Sequence, residues 1–257
     1  MSDSRFLEEA LNSWNPWRGC RPFSLGCLNC FVMSADYHPY YDEPSAFSLS
    51  ESYLLPLERH FHGEKAGKWR MQDDGRWVIT CYASEFLLEE ADKYRPAVWR
   101  AMSLRHDLRF MIIVKRIHRL PQCLPEDWGE GYDNVALACS VEDQRAADER
   151  LPLLAQAVVK HKMIVAEPLL SPINLRPHLA AVKPERLTVG GESGPSARVC
   201  CLEWVLDLHR QSLDYKVPFW FKQTGSNFVD ETGQKVEVHR SRQSSLASDY
   251  ELNNLTL

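Results

Sequence analysis

The sequence is as informative in what it lacks as in what it holds. No run approaches the roughly 18 uninterrupted apolar residues of a membrane span. The opening residues, MSDSRFLEEALNSW, are acidic where a signal peptide needs a basic flank and an apolar stretch, so a cytoplasmic protein is expected. There is no excess of positive charge: a net charge of −5 and a pI of about 6.0 mean that any nucleic-acid contact has to come from a local basic groove. A glycine-rich turn after the first strand, the mark of an open dinucleotide-binding sheet, is missing. So are a nucleophile elbow, a Walker-type loop and a His-rich metal motif, which leaves hydrolysis and phosphoryl transfer without their usual machinery. Cysteine is sparse outside one place. Five of the eight are scattered, and Cys81 and Cys139 lie inside apolar runs, where the thiol behaves as a small hydrophobe.

What the sequence does have is a repeating rhythm. From residue 76 onward, short runs rich in Val, Ile, Leu and Phe recur at roughly even spacing: RWVITCYASEF, LRFMIIVKR, NVALACSVED, KMIVAEPLL, RLTVGGESG and VPFWFKQTG. Continuous apolar runs of this length read as strands buried on both faces, as in a parallel sheet covered by helices. Between them lie helical patterns such as EDQRAADERLPLLAQAVVKH and CLEWVLDLHRQSLDYK, and a further helical stretch is expected around SLSESYLLPLERHF. The repeated βα unit and the chain length predict a (β/α) barrel, full or partial and TIM-like. One barrel domain over residues 1–227 is expected, with a polar, loosely docked tail over 228–257.

Polar residues appear abruptly where each apolar run stops: Ser84 and Glu85, Lys115 and Arg116, Ser140 and Glu142, Glu167, Glu192 and Ser193, Lys222 and Gln223. In a parallel barrel the carboxyl ends of the strands converge on one mouth, and sites are built there. Two lysines facing several carboxylates suit a ligand that carries both charges, such as an amino acid moiety.

The dense cysteine cluster is GCRPFSLGCLNCF, residues 19–31, in which Cys20, Cys27 and Cys30 follow a C-x6-C-x2-C spacing. Thiolates select zinc, Cu(I) or iron–sulfur centres, and a Cys-x2-Cys turn lets two sulfurs converge on one of them. Three thiolates on a [4Fe–4S] cluster leave one iron open for a small molecule. Closing a zinc tetrahedron instead needs a fourth ligand, for which His38 is the candidate, and gives a zinc-stabilised barrel serving as a non-catalytic binding module. Redox thiols are the third reading.

Several stretches together, WNPWRGCRPFSLGCLNCF, VKR at 114–116, SVEDQRAADERLPLL, AEPLLSPINL, VGGESGPSARV and VPFWFKQTG, resemble the three-Cys-motif phage protein family, which is akin to radical S-adenosylmethionine enzymes. The resemblance spans Trp14 to Gly225. It implies a [4Fe–4S] cluster on Cys20, Cys27 and Cys30 with S-adenosylmethionine on the open iron. It further implies a 5′-deoxyadenosyl radical, a reductant protein as electron donor, and a substrate that is a nucleic acid or a partner protein. This chain has six residues between its first two cysteines where the common radical motif has three.

Within that frame, Glu167, Glu192 and Lys222 are the catalytic candidates. Lys115, Arg116, Ser140, Glu142, Gly190, Gly191 and Ser193 are the cofactor-binding ones. Gly190 and Gly191 let backbone approach a ligand closely; Ser140 and Glu142 suit ribose hydroxyls, unless the segment serves helix capping through Asp143. Glu167 is either a ligand group or the partner of Lys115 or Arg116. Arg116 or Arg198 suits bidentate recognition better than a lysine does. Trp14 and Trp17 are expected to pack the barrel floor.

Overall fold

The computed structural model of the protein describes residues 13–33 and 46–254. Its strands, in chain order, are β1 (Ser13–Trp14), β2 (Trp17–Arg18), β3 (Ser48–Leu49), β4 (Trp77–Thr80), β5 (Arg109–Val114) and β6 (Val135–Ser140). They continue with β7 (His161–Ala166), β8 (Leu187–Gly190), β9 (Val199–Cys201), β10 (Phe219–Gln223), β11 (Asn227–Val229) and β12 (Lys235–Glu237). The helices are α1 (Arg95–Leu104), α2 (Leu120–Cys123), α3 (Gln144–Gln156), α4 (Arg176–Val182), α5 (Leu202–Asp214) and α6 (Gln243–Asp249). All six apolar runs form strands of one seven-stranded sheet, ordered β1-β4-β5-β6-β7-β8-β10. Every pairing in it is parallel. The sheet curls into a half-barrel, the partial form of the expected barrel.

The runs are continuously apolar because both faces of each strand are covered. Phe110, Ile112 and Val114 of β5, with Leu137, Ile164, Leu187 and Phe219 from the other strands, face the helices and join the main core. The alternate residues, Ile79, Met111, Ala136, Ala138, Met163 and Val165, form a second, smaller cluster on the opposite face. Side chains on the concave side of a curled sheet converge, so alanines at the two central positions of β6 leave the room that curvature needs. The helix after β6 starts where its cap predicts: the Asp143 carboxylate accepts the Ala146 N–H at 2.8 Å.

Three expectations change. SLSESYLLPLERHF yields a single 3-10 turn at Leu55–Leu57, because Pro56 lacks the N–H and fits only a first turn. Trp14 and Trp17 are fully buried, but in the helix-side core beside Phe110 and Phe86 rather than on a barrel floor. The segment after Phe228 is not loose up to Asn254. Phe228, Val238 and Ala247 belong to the main core, and β11 pairs with β9 and β12 in a second sheet. At the outer edge of β10, the Phe219 N–H donates to the Asn254 carbonyl at 2.9 Å, and the Phe221 N–H donates to the Asn253 side-chain oxygen at 2.7 Å. Three widely spaced apolar residues carry no periodicity, so this packing is invisible in the sequence. Among the described residues, no helix is long and apolar enough to cross a membrane.

Phe228→Ala tests the integration of this segment. Removing a fully buried ring is expected to cost roughly 3–5 kcal/mol in urea unfolding, whereas a loosely docked tail would give no measurable change.

Candidate functional site

Strand alternation carries the inner face of the half-barrel one step past the apolar layer. Met111 and Ile113 are followed in phase by Lys115, Ala136 and Ala138 by Ser140, Met163 and Val165 by Glu167, and Trp220 by Lys222. These four meet. The Lys115 ammonium donates to the Ser140 hydroxyl at 2.8 Å, and that hydroxyl donates to the Glu167 carbonyl at 3.1 Å. Lys222 bridges both carboxylate oxygens of Glu167, at 3.2 and 3.1 Å. The Gln223 amide adds a bond to Glu167 at 2.9 Å and reaches the Ser193 hydroxyl at 3.3 Å. Glu167 therefore pairs with Lys222, not with Lys115 or Arg116. Among the described residues, no ion pair holds the Lys115 ammonium.

The glycines of the GGESG turn make room for the chain itself. A Cβ at Gly190 would lie 3.0 Å from the Glu167 carboxyl carbon, and one at Gly191 would lie 2.1 Å from the Thr224 carbonyl oxygen. The Ser193 hydroxyl donates to Gln243 from α6 at 2.5 Å, tying the turn to the C-terminal segment.

The cysteine loop lies across the same rim. The Ser84 hydroxyl donates to the Gly19 carbonyl at 2.5 Å, and Arg116 donates to the Arg21 carbonyl at 2.8 Å. The Gly26 N–H donates to Glu142 at 3.3 Å, the Asn29 amide to Glu192 at 2.9 Å, and Arg198 to the Leu25 carbonyl at 2.8 Å. Glu142 and Glu192 thus stand apart from the Glu167 network and under the loop, each also paired with an arginine: Arg150 at 2.8 Å and Arg198 at 2.5 Å. Asp143 caps its helix, so capping and a loop contact divide the SVED segment between them.

The three thiols are partly buried and free, and each lies within electrostatic reach of the others. Burial first, then the Glu85 carboxylate, pushes the Cys20 thiol up to about 12, against the opposing charge of Arg116. Burial also raises Cys30, which Lys115 opposes. Three partly buried thiols on one loop supply the donor type of a thiolate-bound inorganic centre, whose binding would displace their protons. The sulfurs are neighbours and not a closed coordination shell: among the described residues, no three or more His, Cys, Asp or Glu side chains are gathered in a metal-holding group. His38 lies outside the described residues.

Asn29, Arg150 and Gln243 were not legible as site residues. Asn29 reads as a turn former, Arg150 as one charge on a solvated helix, and Gln243 as part of a polar tail. Only the closed fold shows their partners.

Burial raises the Glu142 carboxyl, but the hydrogen bonds from Arg150 and the Arg150 charge outweigh it and hold the group below the ordinary 4.5. Glu192 is depressed in the same way, burial being outweighed by the bonds from Arg198 and Asn29. A carboxylate whose folded value is depressed adds stability above its unfolded value and loses that contribution as pH falls through the folded one. The urea midpoint is therefore expected to drop as pH is lowered below the ordinary glutamate range, and the Glu192→Gln variant should show a shallower drop.

The sequence profile of a family described as "Protein of unknown function (DUF5131)" matches residues 6–250. No curated protein and no solved structure matches the chain.

Proposed function

The chain belongs to this family of unknown function, which hands it no reaction, and from the site itself we propose an iron–sulfur enzyme of the radical S-adenosylmethionine type. It would generate a 5′-deoxyadenosyl radical to modify a nucleic acid or a partner protein, with a reductant protein as electron source. The observation that carries this reading is the meeting, on one rim, of the three-thiol loop and the Lys115–Ser140–Glu167–Lys222 network. The resemblance of the cysteine loop and the GGESG and FKQ stretches to the three-Cys-motif phage proteins supports it. All eight cysteines are free, which agrees with the reducing cytoplasmic setting that such a centre needs.

Cys20, Cys27 and Cys30 would hold a [4Fe–4S] cluster and leave one iron for the amino and carboxylate groups of S-adenosylmethionine. When bound, such a cluster supplies one electron for cleavage of the sulfonium bond. The chain's own residues bind and orient. The Lys115 ammonium offers a cation to a carboxylate, and Glu167, held by Lys222 and Gln223, offers a fixed anion to an ammonium group. The Ser140 hydroxyl fixes the Lys115 amine by accepting its hydrogen bond. Ile79, Met111, Met163 and Val165 below them form a dry wall against water.

Anaerobic reconstitution tests the proposal. Wild-type protein is expected to take up iron and sulfide, and with reductant and S-adenosylmethionine to release 5′-deoxyadenosine. Cys20→Ala, Cys27→Ala and Cys30→Ala should each abolish uptake, and Lys115→Met should keep the cluster but lose product by about tenfold or more, the cost of one charged hydrogen bond. Zinc without iron or sulfide in anaerobically purified protein would instead identify a metal-stabilised binding module.

A further inference from the structure

The sequence presents Glu142 and Glu192 as ligand-binding carboxylates, but their oxygens are already committed. One Glu142 oxygen accepts from Arg150 at 3.2 Å and from the Gly26 N–H at 3.3 Å, and the other accepts from Arg150 at 2.8 Å. Glu192 takes the Arg198 guanidinium at 2.5 and 2.9 Å, the Arg198 N–H at 2.9 Å and the Asn29 amide at 2.9 Å. Both carboxylates are buried, at 1% and 6% exposure, so each depends on its arginine for neutralisation. What each has left to give goes to the cysteine loop.

The loop is built to receive them. Its own turns close through backbone bonds, Cys27 N–H to Ser24 O at 2.9 Å and Cys30 N–H to Cys27 O at 3.2 Å. Among the described residues, no cysteine sulfur hydrogen-bonds to either carboxylate. Gly26 sits so near Glu142 that a Cβ there would lie 3.1 Å from the carboxyl carbon. Asn29 spans two elements, donating to Glu192 and also to the Ser196 carbonyl at 2.7 Å.

We propose that the Glu142–Arg150 and Glu192–Arg198 pairs are two latches, acting through Gly26 and Asn29, that hold the thiol loop on the rim before any inorganic centre binds. Glu142 and Glu192 are then positioning residues. Pre-ordering the loop spares metal binding the entropy of fixing it, and because both carboxylates carry their own counter-charge, the Lys115 ammonium stays available to a ligand. That the loop serves an inorganic centre rests on the reading above; that it is latched does not.

Hydrogen exchange on the metal-free full chain tests the latches, with β6 and β7 as the internal control for global unfolding. Gly26→Ala, Asn29→Ala and Glu192→Gln are each expected to speed exchange in residues 19–33 by about tenfold, the weight of one charge-assisted hydrogen bond, while β6 and β7 stay as protected as in wild type. Co(II) binding, read from thiolate-to-cobalt absorbance, should weaken by a similar factor. Gly26→Ala and Asn29→Ala strand no buried charge, so they remain decisive if Glu192→Gln fails to fold. Exchange unchanged in residues 19–33 overturns the latches, and faster exchange with Co(II) affinity at the wild-type value overturns their role in ordering the loop for a centre. A wild-type chain that binds no Co(II), yet shows the exchange effect in the variants, keeps the latches and removes the centre.

Discussion

Strands that all run one way deliver all their carboxyl ends to one edge of the sheet, and that single constraint organises the protein. In a flat sheet those ends would lie in a row too long for one small ligand, with neighbouring strands roughly 4.8 Å apart. Curling draws the row into an arc, and the alanines at the centre of β6 make curling possible. The lysine that closes β5 and the glutamate that closes β7 then bond to the same Ser140. These three end neighbouring strands; Lys222, on β10, reaches Glu167 from two strands further along the arc.

The strands were legible because burial on both faces writes itself into a run of Val, Ile, Leu and Phe without any partner being known. The phase of those runs was legible too: a residue two beyond the last inner-face hydrophobe points the same way, which is why Lys115, Ser140 and Glu167 all reach the rim. Pairing was not. Nothing local tells Glu167 that its cation is Lys222, 55 positions later, so the sequence leaves it equally open as a ligand group or as the partner of Lys115 or Arg116. The C-terminal segment failed for a different reason. It is anchored by Phe228, Val238, Ala247 and the buried Gln243, an irregular set with no period, so composition reported only its polarity.

The electrostatics separate two kinds of carboxylate that look alike in the sequence. Glu142 and Glu192 are sealed by arginines and depressed, while Glu167 shares its charge with a lysine on a more open part of the rim, its side chain 19% exposed. Arginine suits the sealed pairs because its planar fork meets both oxygens of a carboxylate and leaves an edge for a further donor. Lysine suits the open one because a flexible ammonium can give way when another charged group arrives.

Asn253 and Asn254 bear on a quite different matter. A parallel sheet that stops short of closing has a raw flank, and an uncovered row of donors along it invites the same row from a neighbouring molecule. On the β10 side these two side chains and one backbone bridge occupy the donors of Phe219 and Phe221. The open half of the barrel is thereby finished off by its own chain, and crowding has no bare ribbon there on which to build a fibre.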